Sequence, residues 1–199
     1  GCIRPGSCNV TALWMALEYH SLGGALMPEA VPADRWLKDR AGSPNPSWVY
    51  YYMMEIFGDG KQLLAREDDP TSAYNSKVVA RPENMQKAVH FLAESQKKRA
   101  RANYKDGPIS FEDYKGHIDA KQPLVMNSAR MGHVICGIGY RIKDGRTYAI
   151  VHDPYGRKDD GVNKWQKYNR CGEKDRYGEG IPYVFDRLDL RYIFWIEEV

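Results

Sequence analysis

Residues 132–156 read GHVICGIGYRIKDGRTYAIVHDPYG. It contains two runs rich in apolar and β-branched residues, 133–140 and 147–152, and Asp144-Gly145 lies between them. Asp-Gly between two such runs is a strong signal for a tight hairpin turn. The stretch therefore predicts a pair of antiparallel strands in the second half of the chain.

The sequence before this hairpin has mainly helical patterns. Apolar residues recur at helical spacing from Cys8 to Leu22, and a second stripe runs from Pro82, which suits the first position of a helix, to Lys98. Other helices are predicted at residues 33–40, 47–57 and 110–120, and other strands at 183–185 and 191–197, with a polar loop over 161–180. Helices followed by antiparallel strands predict the α+β class.

The composition is that of an ordinary folded domain. Of the 199 residues, 43% are hydrophobic and 28% are charged, and no linker or internal repeat divides them. No apolar stretch reaches the ~18 residues of a membrane span, and the net charge of +3 is mild for a nucleic-acid-binding protein. We therefore expect one domain over residues 1–199, a monomer that binds no nucleic acid and has no membrane span.

The cysteines do not form a recognisable disulfide or metal pattern. There are four cysteines: Cys2, Cys8, Cys136 and Cys171. They are too few for a disulfide framework in a chain of this length, and they lack the paired spacing of zinc ligands. A bond between Cys2 and Cys171 stays open. We expect no metal and no other cofactor, so a cysteine is free for other chemistry.

Cys8 stands at the start of the first predicted helix. The positive end of a helix dipole lowers the pKa of a thiol, and the N–H groups of the first turn can hold a developing oxyanion. A small buried residue at a helix start is the alternative, and it is the commoner situation for a cysteine considered alone. Cys8 is therefore a candidate nucleophile that needs partners elsewhere in the chain.

His133 and Asp153 are the candidate partners. His133 opens one strand of the predicted hairpin and Asp153 follows the other, so both should lie at the same end of the strand pair. A nucleophilic cysteine needs a histidine base and a group that orients the base. Asp153 precedes Pro154 and could instead be a turn former. The three residues together predict a catalytic set.

Several segments resemble the C39-like cysteine peptidases. GSCNVTALWMAL, residues 6–17, is similar to the nucleophile helix of that family. Four further segments resemble its second half in the same order, namely 119–125, 132–133, 137–140 and 153–156. In residues 24–110 we recognise no motif. The resemblance covers both ends of the chain.

The resemblance implies a papain-like fold, with N-terminal helices packed on a C-terminal antiparallel sheet. It also implies that Cys8 is the nucleophile, His133 the general base and acid, and Asp153 its orienting partner. The family usually has a glutamine before the cysteine that completes the oxyanion hole, and the seven residues before Cys8 contain none. Either the chain begins inside the domain or another donor substitutes. The candidate donors are the Cys8 backbone and the Asn9 side chain, which could equally cap the helix.

The implied reaction is the hydrolysis of an amide bond through an acyl-enzyme. From the resemblance to the C39-like peptidases we expect the substrate to be bacterial peptidoglycan, cut as by a phage endolysin. The single compact, mildly basic domain without transporter-like membrane segments fits that expectation. The protein would then act outside the cell or at the bacterial envelope, although the chain has no visible signal peptide. A protein-cleaving peptidase, as a secreted effector or a leader-processing enzyme, and a non-catalytic papain-like binding module are the alternatives.

Three other features are predicted to have no part in catalysis. His152 should face away from Asp153, because successive residues of a strand point to opposite faces. Cys136 lies in the middle of a strand and should be an inert core thiol. The basic run over residues 97–101 follows a helical pattern and should be a solvated helix end.

Overall fold

A computed structural model describes residues 8–22, 81–154, 156–158, 165–168 and 178–199 of the chain. The helices are α1 Cys8–Tyr19, α2 Pro82–Ser95 and α3 Phe111–Asp119. The strands are β1 Ala100–Asp106, β2 Leu124–Ser128, β3 His133–Lys143, β4 Arg146–His152, β5 Gly156–Lys158, β6 Trp165–Tyr168, β7 Ile181–Val184 and β8 Leu190–Glu198. The helices predicted at 33–40 and 47–57 lie outside the described residues.

Six of these strands form one sheet in the order β1-β8-β2-β3-β4-β7, and each neighbouring pair is antiparallel. Strands β5 and β6 pair with each other in a separate two-stranded sheet. Together with the helices, this sheet confirms the α+β prediction. The C-terminal strand β8 lies between β1 and β2, so the end of the described chain is part of the sheet interior.

The hairpin between β3 and β4 has the predicted turn. Lys143 pairs with Arg146, and the two turn residues Asp144 and Gly145 have φ angles of 51° and 70°. Positive φ at both central residues is the requirement of a type I′ turn, which favours glycine at the second of them. The outer ends of the two strands consequently meet, with residue 133 at the start of one and residue 153 just past the end of the other.

A bulge interrupts the pairing of β3 with β4. Ile138 is the extra residue between Gly137 and Gly139. The buried Tyr114 of α3 donates its hydroxyl hydrogen bond to the Gly139 carbonyl oxygen at 2.6 Å. A Cβ on Gly137 would lie 2.8 Å from the Tyr114 ring and 2.9 Å from the terminal methyl of Met126. The close approach of α3 to the sheet therefore requires glycine at residue 137.

The helices cover both faces of the sheet. Helix α1 packs on β2, β3 and β8, and α2 packs on β1. The apolar core on that face contains Ala12, Leu13, Ala16 and Leu17 of α1, Met85, Val89 and Leu92 of α2, and Val125, Val134, Cys136, Tyr192, Phe194 and Ile196 of the sheet. Helix α3 closes a second core on the opposite face. Burying each of the Leu, Ile, Val, Met and Phe side chains of this kind contributes about 1.5–3 kcal/mol.

Three sequence predictions are wrong: the helix end over residues 97–101, the placement of all helices before the strands, and the uninterrupted loop over residues 161–180. Helix α2 ends at Ser95, and residues 97–101 lead into β1 rather than extending a helix. β1 pairs with β8 along its whole length, while Ala102 and Tyr104 pack against the first core. In the sequence, the charged residues next to Ala102 and Tyr104 make this strand difficult to recognise. Because β1 precedes α3, helices and strands are interleaved, and β6 lies inside the predicted 161–180 loop.

None of the described helices is long and apolar enough to cross a membrane.

Candidate active site

Cys8 is the first residue of α1 and is only partly exposed. The backbone N–H groups of Asn9 and Val134 hydrogen-bond its sulfur, and its side chain also hydrogen-bonds His133. The first turn of the helix and the first residues of β3 therefore meet at the thiol. This position follows from the packing of α1 across β2 and β3.

His133 is the first residue of β3, and its side chain is 3% exposed. Its Nε2 atom lies 2.7 Å from Oδ1 of Asp153. Because Nε2 is bound to the carboxylate, Nδ1 is the nitrogen left to face the Cys8 thiol. The imidazole thus connects the thiol to the carboxylate.

A tight connection between β2 and β3 presents His133. Ser128, the last residue of β2, pairs with His133 and accepts a hydrogen bond from the Met131 N–H at 3.2 Å. The Ser128 hydroxyl donates in turn to the Leu188 carbonyl oxygen. Gly132, just before His133, has φ of 57°, a conformation that glycine adopts without strain. These contacts fix the direction in which the strand begins.

Asp153 follows β4 and is fully buried at its side chain. Its Oδ1 atom pairs with His133, and its Oδ2 atom accepts a hydrogen bond from the Tyr183 hydroxyl at 3.0 Å. Its backbone N–H donates to the Gly178 carbonyl oxygen at 2.7 Å. A buried carboxylate requires such partners, since an unpaired buried charge is strongly destabilising. Asp153 therefore precedes a proline, as a turn former would, and its carboxylate is also held in place as a hydrogen-bond acceptor.

The electrostatics of the site favour charge separation between Cys8 and His133. Burial raises the pKa of the Cys8 thiol, but the His133 hydrogen bond and charge, with the two backbone N–H groups, lower it below its ordinary value. Burial lowers the pKa of His133, but the hydrogen bonds to Asp153 and Cys8 and their charges raise it to about 9. A thiolate beside an imidazolium is the reactive form of a nucleophilic cysteine.

A model of the Peptidase_C39 like family matches residues 3–179 of the 199-residue chain. The chain belongs to the Peptidase_C39 like family. No curated protein and no solved structure matched it. The family supports a cysteine peptidase in general, in agreement with the resemblance seen in the sequence.

The three residues that the sequence pointed to in this Peptidase_C39 like chain are brought together by the structure. Cys8 hydrogen-bonds His133, and His133 hydrogen-bonds Asp153, although 145 positions separate the first from the last. The fourth side chain, Tyr183, was missed as a site residue. Because Tyr183 lies in an apolar strand, the sequence indicates only that it is buried in the core. No local motif links it to a carboxylate 30 positions away.

Asn9, the other oxyanion-hole candidate, is 2% exposed. Neither the oxygen nor the nitrogen of its side-chain amide has a hydrogen-bond partner among the described residues. Within that part of the chain, the side chain therefore does not cap α1. Burying an amide with no hydrogen-bond partner costs on the order of 1–3 kcal/mol, so the Asn9 side chain gains no stability from hydrogen bonds to the described part of the chain.

The prediction that Cys136 is a core thiol is confirmed, whereas the orientation of His152 relative to Asp153 stays a prediction. Cys136 is buried in the first core, and burial raises the pKa of its thiol to about 12, so it stays protonated and inert. His152 is half-buried, and its Nδ1 atom accepts a hydrogen bond from the Gly180 N–H at 3.2 Å. Cys2 and Cys171 lie outside the described residues.

No cluster of three potential metal ligands from His, Cys, Asp or Glu occurs in the described parts of the chain.

Proposed function

We propose that this Peptidase_C39 like chain hydrolyses amide bonds through a thioester formed on Cys8, in a papain-like arrangement of helix and sheet. The observation that supports the proposal most strongly is the continuous hydrogen-bonded series from the Cys8 thiol through His133 to the Asp153 carboxylate. Each member has the chemistry that its role needs: a thiol at a helix N-terminus, an imidazole between thiol and carboxylate, and a buried acceptor.

The proposed reaction begins with the thiolate of Cys8. It attacks the carbonyl carbon of the scissile amide, and the carbonyl oxygen becomes an oxyanion. His133 then gives its proton to the amide nitrogen, the C–N bond breaks and the amine leaves, with the acyl group on sulfur. Water attacks the thioester carbonyl while His133 takes one of its protons, and the acid leaves as Cys8 recovers the thiolate and His133 the imidazolium.

We further propose the oxyanion hole from the groups nearest to Cys8. The backbone N–H of Cys8, at the N-terminus of α1, would be one donor. The side-chain amide of Asn9 would be the second, since its nitrogen is buried and has no acceptor among the described residues. Bond formation with the oxyanion would relieve the cost of that buried amide only while the tetrahedral intermediate exists. Asn9 would then take the role of the glutamine that the sequence lacks before Cys8.

For the substrate we propose the peptide part of bacterial peptidoglycan: the stem, the cross-bridge or the bond to the sugar. The support is the amide-cleaving chemistry of the site together with a net charge of +3, which favours encounter with an anionic envelope. All residues of the proposed site belong to one chain, so we propose a monomer. The place of action would be outside the cell or at the bacterial envelope.

The test is digestion of purified bacterial cell walls by the wild-type protein and by Cys8→Ala, with casein digested alongside. We expect clearing of the turbid suspension by the wild type alone, new amino termini without new reducing sugars, and shortened muropeptides by mass spectrometry. Cleavage of casein without any change in the walls would instead indicate a protein-cleaving peptidase. Binding to walls without cleavage of either substrate would indicate the non-catalytic module and refute the proposal.

A further inference from the structure

Tyr183 contacts the side of the Asp153 carboxylate that His133 does not occupy. Its hydroxyl donates to Oδ2 at 3.0 Å, while His133 Nε2 lies 2.7 Å from Oδ1. We infer that Tyr183 is a positioning residue of the proposed catalytic series, acting on His133 through Asp153. The inference rests on the proposed function and extends it by a fourth side chain.

The geometry explains why a second contact matters. A carboxylate held at one oxygen can rotate about the bond to its carboxyl carbon, and rotation breaks the alignment with the imidazole. With Oδ1 held by His133 and Oδ2 held by Tyr183, both ends of the carboxylate group are fixed. The Asp153 backbone is fixed as well, through its N–H bond to the Gly178 carbonyl oxygen. The side chain therefore has a defined orientation.

The position of Tyr183 in the fold is suited to this role. Tyr183 lies on β7, which pairs with β4, the strand that ends directly before Asp153. Its side chain is in the second core and is 1% exposed. The hydroxyl is thus a buried donor on a rigid element, and such donors keep a functional side chain in place better than donors on mobile loops do.

A purely structural role is the rival interpretation, because a buried tyrosine hydroxyl usually finds some acceptor. Tyr114 provides the matched control. It is a buried tyrosine of the same core, and its hydroxyl donates to the carbonyl oxygen of Gly139, which lies six residues after His133 in β3. Loss of either hydroxyl removes hydrogen bonding within this core, but of the two tyrosines it is Tyr183 whose hydroxyl bonds the Asp153 carboxylate.

The test compares Tyr183→Phe with Tyr114→Phe in two assays. The first measures the rate of alkylation of Cys8 by iodoacetamide across pH, with Cys8→Ala as the blank for other thiols. For Tyr183→Phe we expect the midpoint of thiolate formation to rise by at least about half a pH unit, since a misaligned carboxylate stabilises the imidazolium less well. For Tyr114→Phe we expect the wild-type midpoint.

The second assay measures cleavage of the peptide substrate. Tyr183→Phe should lower kcat roughly tenfold and leave KM within about twofold, because the hydroxyl acts on the reacting groups and does not bind substrate. Melting temperatures of the two variants should be similar. An unchanged or lower alkylation midpoint in Tyr183→Phe would overturn the inference, as would an equal shift in Tyr114→Phe.

A double-mutant cycle tests whether Tyr183 acts through Asp153. In the Asp153→Asn background, Tyr183→Phe should cause no further shift of the alkylation midpoint, whereas an additive shift would show an independent effect and overturn the inference. The alkylation assay needs no peptide substrate. A protein that cleaves no amide but shows the Tyr183-dependent midpoint would therefore refute the proposed function and leave the positioning role intact.

Discussion

His133 Nε2 lies 2.7 Å from Asp153 Oδ1, and both side chains are almost entirely buried. The pair joins the start of β3 to the end of β4, the two strands whose hairpin the sequence predicts. A buried imidazole beside a buried carboxylate is held in one orientation and favours its protonated form. The contact therefore links the fold of the hairpin to the reactivity of Cys8.

Replacement of Asp153 by asparagine tests the carboxylate. Asp153→Asn keeps the size of the side chain but removes the charge that raises the pKa of His133. We expect kcat for peptide cleavage to fall by roughly 10²–10⁴ and KM to change little. Steady-state kinetics check this, with Asp119→Asn as the control, because Asp119 pairs with Lys115 on the surface. An equal effect of the two substitutions would contradict the role of Asp153.

The pH dependence of activity follows from the two shifted groups. The pKa of the Cys8 thiol lies below its ordinary value of 9.0, so kcat/KM should rise with pH before an unperturbed thiol would ionise. His133 has a pKa of about 9, so activity should fall as the imidazolium loses its proton in that region. A pH profile of kcat/KM measures both limbs. A decline centred near 6.5, the ordinary imidazole value, would show that Asp153 does not hold the proton on His133.

A substitution of Asn9 tests the oxyanion hole. Asn9→Ala should lower kcat by roughly 10²-fold, the usual effect of losing one oxyanion donor. It should not lower stability, because the amide has no hydrogen-bond partner among the described residues. Gln86→Ala is the control, because it removes a side-chain amide that does have a partner, the Ala102 carbonyl oxygen of β1. It should lower stability and leave kcat unchanged. Unchanged kcat together with lowered stability would assign Asn9 to structure alone.

Gly137 offers a test of the fold that is independent of catalysis. Gly137→Ala places a Cβ 2.8 Å from the Tyr114 ring and should lower the free energy of unfolding by about 1–3 kcal/mol. Gly139→Ala is the matched control in the same strand, because its Cβ would lie 3.5 Å from Ile150, an ordinary contact. Urea denaturation measures both variants. Equal losses of stability would mean that the approach of α3 does not restrict residue 137.

Local patterns were sufficient for much of the fold and for three residues of the site. The Asp144-Gly145 turn predicts the hairpin because its φ requirements are a property of those two residues. The same turn places His133 and Asp153 at one end of the strand pair. Helix periodicity likewise predicts α1, with Cys8 as its first residue.

Long-range contacts account for what the sequence did not predict. Strand β1 has charged residues among its half-buried ones, and its strand character comes from pairing with β8, about 90 positions later. Tyr183 reaches Asp153 only through the pairing of β4 with β7. The Asn9 amide has no hydrogen-bond partner among the described residues, and this depends on how the surroundings of α1 pack. None of these is a property of neighbouring residues in the chain.

Every step of the proposed reaction depends on the Cys8 thiol as the nucleophile. The most direct measurement is amide cleavage by Cys8→Ala beside Cys136→Ala, the same substitution at a buried thiol with a raised pKa. We predict that Cys8→Ala remains folded and loses all detectable cleavage, while Cys136→Ala keeps the wild-type pH profile. Cleavage by Cys8→Ala at a rate comparable to the wild type would contradict it.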